Sequence, residues 1–219
     1  MKKDNDHKTA IIIPAYNEEK RVGAVLDVVT KTPLADEIIV VDDGSTDGTA
    51  EIIKRYLGVK LVSRESNGGK GAALKSGIEA TDADILVFLD ADLVGLTPQH
   101  IQNLIDPLLS DEELMMTVGK FSGGRFRTDI SQSLVPFISG QRALKRAFLE
   151  DMPDISTTGF AVELIFTKHA KDSGAKVKEV ALDDATHIMK EEKLGFFRGL
   201  MARLGMYADM IEHLFPRRK

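Results

Sequence analysis

Apolar runs alternate with amphipathic stretches through the first half of the chain. "TAIIIPAYNE" is a buried strand running into a turn. "EEKRVGAVLDVVTKT" places Val22, Val25, Leu26 and Val29 on one helical face. "DEIIVVDDGS" is a second buried strand, closed by acid and glycine, and "STDGTAEIIKRYL" opens on capping residues before turning helical. "VKLVSR" is a short strand, "NGGKGAALKSGIEAT" a glycine turn entering a helix, and "DILVFLDADL" a fourth strand. Strand and helix in strict alternation predict an α/β fold, a parallel sheet wound right-handedly.

The pattern loosens after residue 95. "TPQHIQNLIDPLL" reads as a helix with Thr97 as its cap and Pro98 in its first turn. "MMTVGKF" predicts a strand, and "ISQSLVPFISGQRALKRAFLED" one or two helices broken near Pro136. "TGFAVELIFTKHAKDSG" predicts a helix stopped by Gly174, followed by a strand in "AKVKEVAL". "LGFFRGLMARLGMYADMIEHLF" predicts a last amphipathic helix. No linker or repeat divides the 219 residues, so one domain is expected. Within it, residues 1–95 form a nucleotide-binding half, 96–189 an acceptor half and 190–219 the terminal helix.

Charge changes this picture in one place. The chain carries a formal net charge of -5, yet residues 190–219 hold seven Lys/Arg against four Asp/Glu. That local +3 leaves -8 on residues 1–189. A basic excess confined to one end argues against nucleic acid and for an anionic membrane surface beside the tail. With no cysteine, disulfides and thiolate metal sites are excluded. No apolar run reaches the roughly 20 residues of a membrane span, and the charged N-terminus lacks a signal-peptide core. The expected location is cytoplasmic, with room for peripheral contact on the inner membrane face.

The chemistry gathers at strand ends, where open α/β sheets bind ligands. "PAYNE", "VDDGSTDGT" and "LDADL" close three strands, and "NGGKG" adds glycines and Lys70. Asp90 and Asp92 are two apart, so an extended backbone would aim both carboxylates the same way. Their repulsion calls for a cation. A hard ion such as Mg2+ or Mn2+ takes one or two carboxylates together with substrate phosphates. The glycine turn matches neither G-x-x-x-x-G-K-[ST] nor G-x-G-x-x-G, so alone it reads equally well as a tight turn.

In their order and spacing, "IIIPAYNEE", "IIVVDDGSTDGT", "NGGKGAALKSGI" and "VFLDADL" resemble a family 2 glycosyltransferase of the GT-A fold. The dolichol-phosphate mannose synthase-like branch is the nearest likeness. The match continues in patches through "GGRFR", "SGQRALKR", "TGFAVEL" and "THIMKEEKLGF". The resemblance implies that Pro14, Tyr16 and Glu18 line the nucleoside and that Asp43 contacts the base. It implies that Lys70 stands in the pocket wall, that Asp90 meets the ribose or the metal shell, and that Asp92 binds the metal. Arg125 and Arg142 would handle phosphates. The family often has glutamine where this chain has Val94, and valine cannot ligate. His187 is the candidate replacement, because related enzymes often carry a histidine there.

The implied reaction passes a hexose from a UDP- or GDP-sugar to an acceptor by single displacement, with inversion. "TTGFAVE" lacks the Glu-Asp pair of many carbohydrate-acceptor relatives, and Asp154 is the nearby acid. A phosphate acceptor needs arginines rather than a base, which favours a polyprenyl phosphate. A small soluble acceptor of the sugar or glycerate type is the alternative, and a non-catalytic nucleotide-sugar sensor is a third reading. Phe197, Leu200, Leu204, Tyr207, Ile211 and Leu214 share one face of the last helix. That face suits the protein's own core, a membrane surface or a homodimer.

Overall fold

The structure, a computed structural model, describes residues 7–122 and 139–187. Its layering follows from alternation within the first strand, β1 (Thr9–Ala15). Ile11, Ile13 and Ala15 enter one apolar cluster, whereas Ala10 and Ile12 enter another. A strand buried on alternate sides is covered on both faces, which is why it reads as a continuous apolar run. The next strands, β2 (Glu37–Asp42) and β4 (Ile85–Phe88), behave alike. Val40, Ile85 and Val87 join the first cluster, and Ile39, Val41, Leu86 and Phe88 the second.

Helices fill the two clusters from opposite sides. α1 (Val22–Val29) contributes Val22, Val25, Leu26 and Val29 to the first, the four positions expected from their spacing. α4 (Pro98–Ser110) adds Ile101, Leu104, Ile105 and Leu108. α3 (Lys70–Glu79) brings Ala73 and Leu74 to the second cluster, and α5 (Val162–Ser173) brings Val162, Phe166 and Ala170. The short α2 (Thr49–Ile53) places Ile53 in the first. Each fully buried aliphatic side chain contributes roughly 1.5–3 kcal/mol.

The remaining strands are β3 (Val59–Ser63), β5 (Leu93–Val94), β6 (Leu114–Ser122), β7 (Arg142–Lys145), β8 (Lys176–Asp183) and β9 (Thr186–His187). Seven of them form one sheet in the order β3-β2-β1-β4-β7-β6-β8, and β5 pairs with β9 separately. The β1–β2, β1–β4, β2–β3 and β6–β8 pairings are parallel. β7 runs antiparallel to both β4 and β6, so the sheet is mixed rather than wholly parallel.

Two elements depart from expectation. "RALK", expected to be helical, is β7, followed by a 3-10 turn at Arg146–Leu149. Arg, Ala, Leu and Lys all favour helix in isolation, but the slot between β4 and β6 supplies backbone partners on both edges. The fourth strand also stops at Phe88, and the chain turns at Ala91 and Asp92. Asp90 and Asp92 therefore do not share one face of an extended strand.

The caps agree with the sequence. Thr97 caps α4 in a reciprocal box with His100, and Pro98 occupies the first turn. Gly174 ends α5 in the left-handed region, at φ 67°. The expected Pro136 break and the terminal helix bearing Phe197, Leu200, Leu204, Tyr207, Ile211 and Leu214 lie outside the described residues, as do Arg125 and Arg127. Among the described residues no helix is long and apolar enough to cross a membrane.

Candidate active site

Parallel pairing brings the carboxyl ends of β1, β2 and β3 level, with Ala15 opposite Asp42 and Asp42 opposite Ser63. The loops that follow therefore meet at one edge of the sheet. Asn17, in a left-handed conformation at φ 55°, ties two of them together. Its N–H donates to Ser45 Oγ at 2.9 Å, and its Oδ1 accepts from Thr46 N at 2.8 Å. Asp47 and Glu19 repeat the device: Asp47 accepts from the N–H groups of Glu19 and Thr49, and Glu19 accepts from Gly48 N at 2.9 Å. These bonds lower the Asp47 pKa against the burial that would raise it.

Within this frame Tyr16 leaves 45% of its surface exposed, and Pro14 is half-buried beside it. Glu18 instead serves the start of α1, its carboxylate 3.2 Å from Arg21. Asp43 is turned inward. Its side chain is 4% exposed and accepts from Gly69 N at 2.8 Å and from Gly68 N. Arg64 Nε lies 2.7 Å from Asp43 Oδ1 but off the N–H axis, so this contact is an ion pair rather than a directed hydrogen bond. The guanidinium also donates to Ala72 O and Ser76 Oγ. Asp43 thus pins the glycine turn. The amides of Gly68 and Gly69 are committed to it, where the sequence suggested base contact for the acid and phosphate approach for the glycines.

The next turn holds a buried set of charges. Lys70, at the start of α3, places Nζ 2.6 Å from Asp90 Oδ1 and 2.5 Å from Glu163 Oε1. Burial alone would favour the neutral amine, but the two facing carboxylates more than offset it and raise the lysine pKa. Part of the cation demanded by the acids of "LDADL" is therefore this lysine. Gln141 grips the same acid from the other side: its Oε1 accepts from Asp90 N at 3.0 Å, and its Nε2 donates to Asp90 Oδ2 at 2.9 Å. Gly140 makes that approach possible, since a Cβ there would sit 2.6 Å from both Asp90 Oδ2 and Lys70 Nζ.

Arg142 stands behind this set and is 1% exposed. Its Nη2 donates to Ser139 O at 2.6 Å, its Nη1 faces Glu163 O at 3.4 Å, and it lies 5.1 Å from the centre of the Phe166 ring. Burial pulls its pKa down to about 10, against the pull of Glu163 and Asp90. A guanidinium so enclosed cannot reach an incoming phosphate, which corrects the role expected for it. Asp154, the acid considered as a base, pairs instead with Lys75 at 3.0 Å.

Asp92 is half-buried in its turn, and Val94 is 46% exposed just beyond. β5 pairs antiparallel with β9, setting His187 opposite Leu93 and Thr186 opposite Val94. The backbone thus brings position 187 next to the turn of Asp92. Among the described residues no three His, Asp or Glu side chains converge into a complete metal site. The donors present fit a hard ion held by one or two carboxylates, with substrate oxygens and water completing its shell.

Gln141 and Glu163 escaped the sequence reading. Glu163 had a signal, a lone acid inside the apolar stretch "FAVELIF". Gln141 had only its place just ahead of a buried strand.

The comparisons with known proteins follow this geometry. Glucosyl-3-phosphoglycerate synthase of Mycolicibacterium smegmatis is 38% identical over 119 residues, covering 50% of this chain and 39% of that protein. The chain thus aligns with less than half the length of that relative. Dolichyl-phosphate beta-glucosyltransferase of Trichomonas vaginalis is 37% identical over 97 residues, covering 38% of this chain and 29% of that one. The crystal structure of glucosyl-3-phosphoglycerate synthase from Mycobacterium tuberculosis, in complex with Mn2+, uridine diphosphate and glucosyl-3-phosphoglycerate, superposes with a TM-score of 0.74 at 29% identity. It covers 91% of this chain and 81% of the other. Residues 10–164 match Glycosyl transferase family 2, and the chain belongs to that family.

Proposed function

We propose that this chain transfers a glucosyl group from UDP-glucose to the hydroxyl of a small phosphorylated acceptor of the glycerate or glycerol phosphate class. One observation carries this reading. The fold matches, over 91% of the chain, a synthase whose crystal structure holds Mn2+, uridine diphosphate and glucosyl-3-phosphoglycerate. The same synthase has been crystallised with UDP-glucose and phosphoglyceric acid. This favours the soluble acceptor over the polyprenyl phosphate that the sequence suggested.

The roles follow from the site. The open ring of Tyr16 and the half-buried Pro14 form a wall against which a flat base can lie. Lys70 and Asp90 stand where the ribose and diphosphate would sit. Asp92 would hold Mn2+ or Mg2+, with position 187 supplying a histidine beside it. Bound there, the ion would neutralise charge building on the departing diphosphate. In the transfer, the bond from the sugar carbon to the diphosphate oxygen breaks, and one to the acceptor oxygen forms. The acceptor hydroxyl gives up its proton, and UDP leaves.

A lipid-phosphate acceptor is the second reading, favoured by the similarity to dolichyl-phosphate beta-glucosyltransferase. The test is incubation of the full chain with UDP-glucose and Mn2+ against 3-phosphoglycerate, glycerol 3-phosphate and a polyprenyl phosphate. We expect a glucosylated three-carbon phosphate. Lipid-linked product alone would shift the acceptor to the second reading. Absence of transfer to every acceptor, including from GDP-sugars, would overturn the proposal.

A further inference from the structure

Glu163 has no place in the reaction as described, yet it is buried to 7% exposure and aimed at the site. It sits in the first turn of α5, where Val162 and Phe166 belong to the apolar core. Its carboxylate meets Lys70 Nζ at 2.5 Å, and the same ammonium meets Asp90 at 2.6 Å. The Glu163 and Asp90 oxygens can be no farther apart than those two contacts combined. Arg142 closes the set from behind through the Glu163 carbonyl. Two cations and two anions thus share one enclosed patch, and their formal charges cancel.

We infer that Glu163 is a positioning residue that acts through Lys70 to set the charge of the site, dividing its affinity between the divalent ion and the diphosphate. The inference rests on the proposed function, because it takes those two ligands as the ones bound. Removing a carboxylate here leaves the patch with one excess positive charge. That charge repels a divalent cation and attracts a diphosphate, so the two affinities move in opposite directions. Releasing Lys70 from Glu163 also leaves Asp90 as its sole anionic partner, and Asp90 is then less available to the metal shell. A residue needed only for folding would weaken both ligands together.

The test measures UDP binding by calorimetry, with Mn2+ and with EDTA, in the full chain and its variants. In the wild type Mn2+ should tighten UDP binding. In Glu163→Gln, the metal-free affinity should hold or rise, while the gain from Mn2+ should fall about tenfold. Glu163→Asp, which keeps the charge, should recover most of that gain. Lys70→Met reverses the sign: metal-free UDP should bind more weakly, and the gain from Mn2+ should grow. The Lys70→Met and Glu163→Asp measurements decide the matter if Glu163→Gln does not fold. Equal losses with and without Mn2+ in Glu163→Gln, or an unchanged gain in Lys70→Met, would overturn the inference. A wild type that binds UDP under neither condition would overturn the functional reading itself, a separate and recognisable failure.

Discussion

Gln141 and Asp90 lie far apart in sequence and share two hydrogen bonds, the carboxamide oxygen on the aspartate N–H and the carboxamide nitrogen on its carboxylate. Gln141 is fully buried, so neither bond is readily replaced by water. Gln141→Leu should therefore cost about 1–3 kcal/mol of stability by orphaning buried polar groups. Gln141→Glu should cost at least as much, because it sets an anion against Asp90. Urea denaturation of both variants checks this; a loss below about 0.5 kcal/mol in Gln141→Leu would count against the clamp.

This pair also shows where reading the sequence stops. The strands β1, β2 and β4 were legible because burial on both faces leaves unbroken apolar runs. α1 and the Thr97 cap were legible because their signals are local. β7 was not, since the preference of "RALK" for helix is overridden by two strands that are distant in sequence. The site followed the same division. The acids and glycines of "VDDGS", "NGGKG" and "LDADL" announced its location. That Asp43 faces Gly68 and Gly69, or that Lys70 stands between Asp90 and Glu163, depends on tertiary placement with no short-range signature.

Arg142 separates a phosphate-binding role from a structural one. Its guanidinium is enclosed by Ser139, Glu163 and Phe166. We predict that Arg142→Met lowers stability by about 1–3 kcal/mol while leaving the KM for UDP-glucose within about twofold. Thermal melts and steady-state kinetics give the two quantities. A rise in KM of about tenfold with unchanged stability would restore the phosphate-contact role.

Asp92 should behave in the opposite way. Asp92→Ala should reduce turnover at least about 100-fold, and UDP should then bind equally well with and without Mn2+. Its melting temperature without ligand should stay near that of the wild type. An Asp92→Ala variant whose UDP affinity still responds to Mn2+ would move the metal elsewhere.

Gly140→Ala tests the close approach at the charged patch. Its Cβ would fall 2.6 Å from both Asp90 Oδ2 and Lys70 Nζ, forcing the ion pair or the backbone to shift. The expected cost is about 1–3 kcal/mol. Expression with wild-type stability would show that the segment has room to move.

Asp47 gives a pH dependence of definite sign. Its hydrogen bonds lower its pKa in the fold. The stabilisation is therefore complete above the unfolded value, near 3.9, and is lost as pH falls through the lower folded value. Asp47→Asn should be less stable than wild type by about 1 kcal/mol at pH 7, and the difference should shrink between roughly pH 4 and 2. Urea titrations across that range provide the check, and a gap that widens on acidification would reverse the assignment.

The small ladder between β5 and β9 bears on how the molecule is made. It joins Leu93 to His187, positions 94 residues apart, with four residues forming the junction. During synthesis the ribosome releases β1 to β4 long before the strand that fastens this corner exists. The turn bearing Asp92 thus waits for one of the last described residues, and a nascent chain stopped short of position 186 would carry a nearly complete sheet with its acidic corner unfastened.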